Sequence, residues 1–473
     1  MKYLKKPELH SISKASAILR NVALPFVFHT ARFDAKDSAT LRHMADAYME
    51  KRAIRKNIAE LHLDHKQAIG YSRGKFWATI WPETVIFQGI ESNRMPRLTT
   101  LVLHEVVLVE VWIGCILKSQ TLRRLHLKAC VCYQWTKPLP STKVIELVIQ
   151  DAQYNRELET LVIFLAPQLE ILEVHSTDWF SFPDKKPMLT VFPETCPRLQ
   201  KYVLHLPMSG SGSFIAPLRE FLIRTATIED LELSVAFPSD TLPLPSSALP
   251  NLRLYDTNLS TGLPGVEFIT GPRMLRVLRL RDDFVYRGSV RVFLQVPYDI
   301  AELHLALHQH EAVQLLALFN RGLPNIEKLH LDIRSNRPCS QSDQKVHGDN
   351  TPLSIILIWV SNVLDYVNPA CPDNDNRSRK LSSHKLEKID VDIDMDYIET
   401  TPHVFEKWFH CVVAAKCPAL KEAYFRVWKV NNQGVREAEP RLWARWRMGI
   451  DEHWCYEGGY TSKHESPCIT VIT

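Results

Sequence analysis

The sequence Leu-Thr-Thr-Leu-Val-Leu at residues 98–103 is followed by Leu-Arg-Arg-Leu-His-Leu at residues 122–127. Both stretches read Leu-x-x-Leu-x-Leu, and this spacing of apolar residues recurs along most of the chain. Alternate residues of a β-strand point to opposite faces of a sheet, so each copy predicts a short strand with one buried face. The anchor residues are, in chain order, Ile58/Leu61/Leu63, Leu98/Leu101/Leu103, Leu122/Leu125/Leu127, Val144/Leu147/Ile149, Leu169/Leu172/Val174, Leu199/Tyr202/Leu204, Ile228/Leu231/Leu233, Leu249/Leu252/Leu254, Leu275/Leu278/Leu280, Ile300/Leu303/Leu305, Ile326/Leu329/Leu331, Leu386/Ile389/Val391 and Leu420/Ala423/Phe425.

The distance between copies predicts the architecture. Most first anchors lie roughly 21–30 residues apart, which overlaps the period of leucine-rich repeats. A single repeat cannot bury its own apolar face and has to stack on its neighbours. We therefore expect an α/β fold, a leucine-rich-repeat solenoid with a curved parallel sheet inside and helices outside. Helical periodicity between copies, as in Phe214, Leu218, Phe221 and Leu222 before Ile228, supplies the crossovers that parallel strands need.

Proline punctuates the joins between copies. One join reads Met95-Pro96-Arg97-Leu98, and four others with the same plan begin at Cys196, Leu249, Leu323 and Cys417. Proline cannot continue a helix, and it biases the residue before it toward an extended conformation. We therefore expect a helix to end and a strand to begin at each of these joins.

The spacing divides the chain into three segments. We expect residues 1–57 to form a helical cap, residues 58–428 the repeats, and residues 429–473 an end segment that covers the last apolar face. The step from Ile326 to Leu386 is about twice the usual one. An insert at residues 335–385 fills it, with polar tracts on both sides of an apolar helix at about residues 353–367.

Composition limits the class of protein. Hydrophobic residues make up 45% of the chain and charged residues 23%, as in a soluble folded protein. The net charge of +4 is too small to predict nucleic acid as the main partner. Ten cysteines without framework spacing, behind a start that does not read as a secretory signal, suit a reducing compartment. The longest apolar run is too short to span a membrane. We expect a monomer in the cytoplasm or nucleus, with no membrane contact.

The N-terminal residues show the pattern of an amphipathic helix. Ile12, Ala15, Leu19 and Val22 fall on one face at helical spacing, and we expect Leu24-Pro25 to break the helix. The segment resembles the second half of the F-box of fungal F-box/leucine-rich-repeat proteins, and the irregular repeats resemble that family as well. The residues that match in order are Ser11, Ile12, Ser13, Ala15, Ser16, Arg20, Ala23, Leu24, Pro25, Phe28, Thr30, Arg32 and Phe33.

The resemblance implies a function in protein recognition. Members of that family are substrate receptors of SCF-type cullin–RING ubiquitin ligases and have no catalysis of their own. By this resemblance, Ile12, Ala15, Leu19, Leu24 and Pro25 would contact the Skp-family adaptor, and the concave strand surface would bind a protein substrate. A complete F-box opens with a leucine-proline element and a further helix that this sequence lacks, so we expect an incomplete F-box. The alternative is a leucine-rich-repeat interaction scaffold without ubiquitin-ligase docking.

The variable residues between the leucines are the expected partner-binding surface. Their charge alternates between basic and acidic from copy to copy, which suits a protein partner of complementary charge and not a phosphate backbone. The residues that we expect to bind the partner are Arg124, His126, Lys128, Asp230, Glu232, Arg279, Arg281, Asp390 and Asp392. The alternative is that most of these positions are solvated and have no dedicated partner.

Two further patterns involve metal-ligand residue types. Seven histidines fall on outward strand positions: His62, His104, His126, His175, His205, His304 and His330. One interpretation is that they bind a metal or make partner affinity depend on pH. The other is that histidine is accepted at half-exposed strand positions and has no function there. Four aspartates, at residues 390, 392, 394 and 396, alternate along one strand face, close enough to repel unless a cation or basic partner intervenes. We expect them to splay into water at the strand end, with an acidic docking patch as the alternative.

The remaining motifs do not predict catalysis. The aspartate run lacks the glycine and glutamate of a calcium loop, and Cys130-x-Cys132 lacks a second pair of zinc ligands. The sequence contains neither a nucleophile–base motif nor a phosphate-binding loop. We therefore expect no enzyme, no metal and no cofactor, and a hydrolase or transferase that uses a groove between repeats is the least favoured alternative.

Overall fold

The protein is an α/β protein with a large, mostly parallel sheet and few helices. Its chain divides into two compact units, unit 1 (Met1–Ile228) and unit 2 (Glu229–Thr473). The computed structural model describes residues 6–34, 38–64, 83–132, 140–151, 156–175, 196–206, 214–235, 237, 241–258, 268–269, 274–281, 300–308, 326–334, 385–395, 409, 417, 419–429, 436, 439–440, 442–448, 454–460 and 468–471.

Unit 1 contains a parallel sheet in which each strand pairs with the next of its seven described strands. These are β1 (Thr30–Asp34), β2 (Glu60–Asp64), β3 (Thr100–His104), β5 (Arg124–Lys128), β7 (Glu146–Gln150), β8 (Ile171–His175) and β9 (Lys201–His205). Two shorter strands, β4 (Val107–Leu108) and β6 (Val131–Cys132), pair in parallel as a separate sheet.

The leucines of the repeat lie at the same register in consecutive strands. Leu101 of β3 lies opposite Leu125 of β5, and Leu103 lies opposite Leu127. All four are at most 1% exposed, whereas the residues between them are half-buried or exposed. The predicted alternation of buried and outward residues is therefore confirmed in these strands, where apolar burial stabilises the pairing of one repeat with the next.

The proline joins form tight turns. In four of them the N–H of the first leucine donates to the carbonyl of the residue before proline, as in Leu98 to Met95 at 3.0 Å and Leu199 to Cys196 at 3.2 Å. Proline occupies the second position of such a turn because its ring fixes the φ angle that the turn needs. Met95 and Cys196 are themselves buried, so each turn closes over the core just before a strand begins. The fifth join, at Leu323, lies outside the described residues.

Three strands of unit 1 end in the same way. Glu105, Ala129 and Asp151 follow β3, β5 and β7 with φ angles of 56°, 49° and 49°. The N–H of each donates to the carbonyl of the last residue of the next strand, at 2.8, 2.7 and 2.8 Å. The left-handed conformation, which is uncommon outside glycine, turns the chain out of the sheet while keeping this last cross-strand hydrogen bond.

Eight helices are described, all of them in unit 1. They are α1 (Lys6–Ala15), α2 (Ala17–Val27), α3 (Ser38–Glu50), α4 (Arg52–Arg55), α5 (Glu83–Glu91), α6 (Glu110–Leu117), α7 (Arg156–Leu165) and α8 (Ile215–Arg224). The helix predicted before Ile228 is confirmed as α8, whose Leu218, Phe221 and Leu222 are fully buried. The Phe221 ring packs edge-on against Tyr202 of β9 at 5.3 Å between centroids, so the crossover helix packs on the sheet.

The prediction that Leu24-Pro25 breaks the N-terminal helix is wrong. Pro25 lies inside α2, and the break comes at Ser16. Ser16 has an extended backbone, and its hydroxyl accepts a hydrogen bond from the N–H of Leu19 at 3.1 Å, which is an N-cap. Because proline has no backbone N–H, Pro25 costs α2 one hydrogen bond but does not end the helix. The chain then enters β1, a strand that the sequence analysis did not predict, whose Ala31 and Phe33 lie opposite Leu61 and Leu63.

Unit 2 continues the parallel pattern and then changes direction. Strands β10 to β16 pair in parallel in chain order, and β17 to β19 follow in antiparallel order. The strands are β10 (Asp230–Ser234), β11 (Leu254–Asn258), β12 (Val277–Arg281), β13 (Glu302–His308), β14 (Lys328–Arg334), β15 (Lys388–Met395), β16 (Glu422–Lys429), β17 (Leu442–Met448), β18 (Trp454–Tyr460) and β19 (Cys468–Val471). Buried Trp446 of β17 stacks on Phe409 at 4.4 Å between ring centroids, which covers the core beside β16.

One repeat has a different register from the predicted one. The sequence analysis placed the anchors of the eighth copy at Leu249, Leu252 and Leu254. In the structure Tyr255 lies opposite Leu231 and Leu278, and Leu254 is only half-buried. Leu252 is therefore the first anchor, because it closes the proline turn with Leu249 at 3.1 Å, as Leu98 does with Met95.

Two predicted features lie outside the described residues. They are the helix at about residues 353–367 and the rest of the insert at residues 335–385, of which only Lys385 is described. Their existence stays a prediction.

Candidate functional site

The side chains that alternate with the buried anchors form what we call the polar face of each unit's sheet. In unit 1 this face carries Arg124, His126 and Lys128 along β5. Arg124 Nε lies 2.9 Å from Glu146 Oε2, and His126 Nε2 lies 3.2 Å from Glu146 Oε1. Arg124 and Lys128 are exposed. Two of the predicted partner-binding residues, Arg124 and His126, are thus brought together around one carboxylate of the next strand, and Lys128 lies on the same strand.

A second charged group in unit 1 surrounds Glu173 of β8. Its carboxylate accepts hydrogen bonds from His175 and from Lys201 of β9. The hydrogen bond from His175, helped by Lys201, outweighs partial burial and lowers the pKa of Glu173 to about 2. Next to it, the Nδ1 atoms of His175 and His205 lie 3.2 Å apart with the rings edge to face.

In unit 2 the polar face includes a carboxylate that the sequence analysis missed. Asp256 of β11 is 1% exposed and accepts a hydrogen bond from Arg281 Nη2 at 2.6 Å. The same guanidinium nitrogen lies 2.9 Å from Glu232 of β10. Burial raises the pKa of Asp256 to about 6 against the opposing effect of Arg281. Glu232 and Arg281, two of the predicted binding residues, are therefore joined through Asp256.

The two histidines of β13 and β14 stack on each other. The rings of His304 and His330 lie 5.1 Å apart, while His304 Nε2 contacts Glu302 at 2.7 Å and His330 Nε2 lies 3.4 Å from Asp392. Burial, together with His330 and Arg279, lowers the pKa of His304 below its usual range despite the hydrogen bond to Glu302. In the described part of the chain, no group of three or more ligand-type side chains is arranged to hold a metal ion.

The aspartate run does not splay into water, so that expectation is wrong for the members that the structure describes. Asp392 and Asp394 of β15 are 4% and 6% exposed, and only Asp390 is half-buried. Asp392 accepts hydrogen bonds from Arg426 Nη2 and Trp428 Nε1 of β16, both at 2.6 Å. Basic side chains of the same chain therefore supply the positive charge that offsets the repulsion between these closely spaced carboxylates. Asp396 lies outside the described residues.

Beside this run, Asp332, Asp394 and Trp428 form what we call the arginine pocket. Its occupant is Arg436, which comes from between β16 and β17. The Nε of Arg436 donates to Asp394 Oδ1 at 2.5 Å, Nη2 donates to Asp332 Oδ1, and the guanidinium carbon lies 5.5 Å from the Trp428 ring centroid. Burial lowers the pKa of Arg436, but the two carboxylates outweigh it and hold the pKa above its usual value.

Aromatic and arginine side chains continue across β16 and β17. Arg426 and Arg445 lie over the Tyr424 ring, with guanidinium carbons 4.8 and 5.8 Å from its centroid. Arg445 also donates to Glu422 at 3.0 Å through Nε. Tyrosine, tryptophan and arginine are the residue types that carry most of the binding energy in protein interfaces. The sequence analysis named none of these four residues as a binding residue.

A separate apolar surface lies on α2. Ile18, Val22 and Phe26 follow one another at i, i+4 and i+8 and are 78%, 48% and 39% exposed, and Leu19 beside them is 41% exposed. We call these four residues the α2 apolar row. Of the residues predicted to contact an adaptor, Leu19 belongs to this row, Ile12, Leu24 and Pro25 are half-buried, and Ala15 is the last residue of α1.

The other predicted binding residues take separate places in unit 2. Asp230 and Glu232 lie on β10, Arg279 and Arg281 on β12, and Asp390 on β15, all half-buried. Arg279 lies 3.6 Å from Glu302 and Asp390 lies 3.3 Å from Lys388. The expected exposure of Asp392 is wrong, because Arg426 and Trp428 cover it.

Five described cysteines, Cys115, Cys130, Cys132, Cys196 and Cys417, are buried and are present as thiols. Burial raises the pKa of Cys130 to about 12, and its thiol donates to the carbonyl of Leu103 at 3.3 Å. A thiol held protonated in this way is a poor nucleophile and metal ligand.

Comparisons with known proteins leave the family open. A scan against protein-family models finds no match, and a search of curated proteins finds none either. Among the described residues, no helix has the length and apolar character needed to cross a bilayer.

Proposed function

We propose that the chain is a leucine-rich-repeat solenoid that recognises proteins, and that it serves as a substrate receptor of an SCF-type ubiquitin ligase. The repeat assignment is supported by the stretch from Leu122 to Cys132. It follows the pattern Leu-x-x-Leu-x-Leu-x-x-Asn/Cys-x-Leu, with Cys130 at the Asn/Cys position and Cys132 in place of the last leucine. The Cys130 thiol bonds the carbonyl of Leu103 in the preceding strand, so this position joins successive repeats.

Protein recognition suits the polar face. Its charges alternate in sign and are paired across strands, and an aromatic and arginine cluster lies on β16 and β17. A phosphate backbone would favour a continuous row of cations instead. The five cysteines that are buried as thiols favour a reducing compartment, the cytoplasm or the nucleus.

The observation that carries the ligase proposal is the α2 apolar row. Four large apolar side chains of one helix are 39–78% exposed, and they lie in the segment that resembles the F-box. Exposed apolar side chains that cluster on one surface mark interaction sites. We propose that the Skp-family adaptor binds to this row.

The test is capture of the adaptor by the full chain. We expect the wild-type chain to co-purify with a co-expressed Skp-family adaptor in a stable complex by size-exclusion chromatography. Val22→Asp places a charge at the centre of the row, and because a buried unpaired charge is costly, we expect at least a tenfold loss of affinity.

The matched control is Val111→Asp. Val111 is 68% exposed on α6, so the same substitution there changes charge and surface without touching the row. If both variants lowered the affinity for the adaptor equally, the α2 apolar row would not be part of the adaptor-binding surface. Failure of the wild-type chain to bind any adaptor would favour the interaction scaffold without ligase docking.

A further inference from the structure

Four neighbouring strands of unit 1 present a regular grid of side chains on the polar face. The parallel register aligns their outward positions into three rows of four across the sheet. These positions, which we call the β5–β9 grid, are Arg124, His126 and Lys128 of β5, Glu146, Val148 and Gln150 of β7, Ile171, Glu173 and His175 of β8, and Lys201, Val203 and His205 of β9. Three corners of the grid are therefore the cations Arg124, Lys128 and Lys201, and the fourth corner is His205.

The cations of the grid lie farther out than its carboxylates. Arg124 and Lys201 have side chains 59% and 39% exposed, whereas Glu146 and Glu173, with which they pair, are 16% and 21% exposed. Lys128 is exposed, and no carboxylate among the described residues pairs with its ammonium group. A protein that approaches the grid therefore meets positive charge first, and the cations outnumber the carboxylates.

Apolar side chains lie between the charged corners. Val148 and Ile171 are half-buried, and Val203 is 2% exposed, although all three take outward strand positions. In the register, Val148 lies opposite His126 on one side and Glu173 on the other. An apolar centre with a charged rim is the arrangement found in interfaces between proteins.

The size of the grid suits a short extended segment. Neighbouring strands lie about 4.8 Å apart and successive residues of a strand about 3.3 Å apart, so the four corners enclose an area of roughly 14 by 13 Å. An extended segment of about five residues covers the same length. One such segment can therefore place acidic side chains near several corners and an apolar side chain near the centre.

From this geometry we infer that the β5–β9 grid is a docking surface for an acidic segment of a partner protein. Carboxylates of the segment pair with Arg124, Lys128 and Lys201, and an apolar side chain between them packs on Val148. Complementary charge of this kind gives specificity and a fast association rate. The carboxylates inside the grid make it a poor match for nucleic acid, whose phosphates form an unbroken row of negative charge. The inference rests on the proposed use of the polar face for protein recognition and not on adaptor docking.

The test uses the full chain and a labelled heptapeptide, Gly-Asp-Glu-Leu-Glu-Asp-Gly with blocked ends, in a fluorescence-anisotropy titration. We expect it to bind at least tenfold more tightly than Gly-Asn-Gln-Leu-Gln-Asn-Gly, which keeps the shape and removes the charge. Replacing the peptide leucine by serine should weaken binding severalfold, because the apolar contact is lost. High salt should weaken binding of the acidic peptide, because it screens exposed charges.

Two variants of the chain address the corners and the centre separately. Arg124→Gln combined with Lys128→Gln removes two exposed cations, and we expect at least a tenfold loss of affinity for the acidic peptide. Val148→Ser should remove the preference for the leucine peptide over the serine peptide.

Lys118→Gln is the control for Lys128→Gln alone, which should lower the affinity severalfold. Lys118 follows α6, outside the grid, and is 54% exposed. It pairs with Glu91 at 2.6 Å, as Arg124 pairs with Glu146. Its substitution removes the same charge and should leave peptide affinity at the wild-type value.

Equal affinity of the wild-type chain for the acidic and the uncharged peptide, or binding of neither, would overturn the inference. So would equal losses in Lys128→Gln and Lys118→Gln, which would show an effect of net charge alone. Tighter binding of a five-nucleotide thymidine oligomer than of the acidic peptide would assign the grid to nucleic acid instead. Adaptor capture by the same wild-type preparation reports on the proposed ligase function separately, so failure of one proposal is distinguishable from failure of the other.

Discussion

The main strands of unit 1 are five residues long, whereas β13 to β16 in unit 2 run seven or eight residues. In unit 1 the carboxylates of the polar face keep some water, as Glu146 and Glu173 do with side chains 16% and 21% exposed. In unit 2, Asp256, Asp392 and Asp394 have lost nearly all of it and are bonded by arginines. Strand length does not decide this burial, because β11, which carries Asp256, is five residues long like the main strands of unit 1.

The largest expected effect tests this difference in charge burial. Arg426→Met removes the arginine that bonds Asp392 and leaves a buried carboxylate with less compensation, so we expect a loss of about 3–5 kcal/mol of unfolding free energy. Arg124→Met removes a 59% exposed arginine beside Glu146 and should cost less than about 1 kcal/mol. Urea denaturation followed by tryptophan fluorescence measures both. Similar losses of unfolding free energy in the two variants would show that charge burial contributes equally to stability on the two faces.

A second pair of substitutions asks whether the cores of the two units are equivalent. Leu103 in β3 and Leu331 in β14 are the last anchors of their repeats and are at most 1% exposed. Replacing either by alanine leaves a cavity, and each should cost about 2–5 kcal/mol. The same urea titration gives both values. If only one of the two alanine substitutions lowered the free energy of unfolding, the contrast between the units would extend from the polar face to the core.

The pH dependence of stability should have opposite signs at two carboxylates. The folded pKa of Glu173 is about 2, below its usual 4.5, so its contribution is present above pH 4.5 and is lost as the pH falls toward 2. The folded pKa of Asp256 is about 6, above its usual 3.8, so the folded state gains protons first and Asp256 lowers stability as the pH rises from 3.8 through 6.

Urea midpoints measured from pH 2 to pH 7 separate the two groups. Glu173→Gln should flatten the profile below pH 4.5, and Asp256→Asn should flatten it between pH 4 and pH 6. A profile that Asp256→Asn leaves unchanged would contradict the raised pKa of that carboxyl.

The smallest expected effect concerns His304. Arg279 and His330 both lower its pKa, so Arg279→Gln should raise the pKa of His304 toward the usual histidine range. Histidine ring signals in a proton NMR titration report this value directly. Arg445→Gln, an arginine on the same face but two strands beyond β15, should leave it unchanged. A His304 pKa that does not move in Arg279→Gln would show that Arg279 does not contribute to it.

Local spacing made much of the fold predictable. The anchor register of β3 and β5 and helix α8 depend on residues close in sequence, and they agree with the structure. The misplaced register at Leu254 followed from weighing apolar spacing above the proline turn, which correctly marks Leu252 as the first anchor. Ser16 could likewise have been identified from the sequence as an N-cap. That assignment would have started a new helix after Ser16, the helix whose Ile18 and Phe26 are exposed in the structure.

The candidate site was less accessible from the sequence. The alternation of the aspartates showed that they share a face, but burial of Asp392 and Asp394 depends on which strands flank β15. The pairing of Arg436 with Asp332 depends on tertiary structure alone. No local pattern relates the two residues, so the sequence analysis could name the carboxylates and not the cation that meets them.

That same pairing has a consequence for how the chain matures. Most cross-strand contacts of unit 2 join a repeat to the next one, so they can form as each repeat leaves the ribosome. The contact between Arg436 and Asp332 spans 104 residues and needs three consecutive strands in place first. Because closing long loops is slow, this contact forms late in synthesis. Until Arg436 has been synthesised, Asp332 and Asp394 lack the arginine that pairs with them in the folded chain.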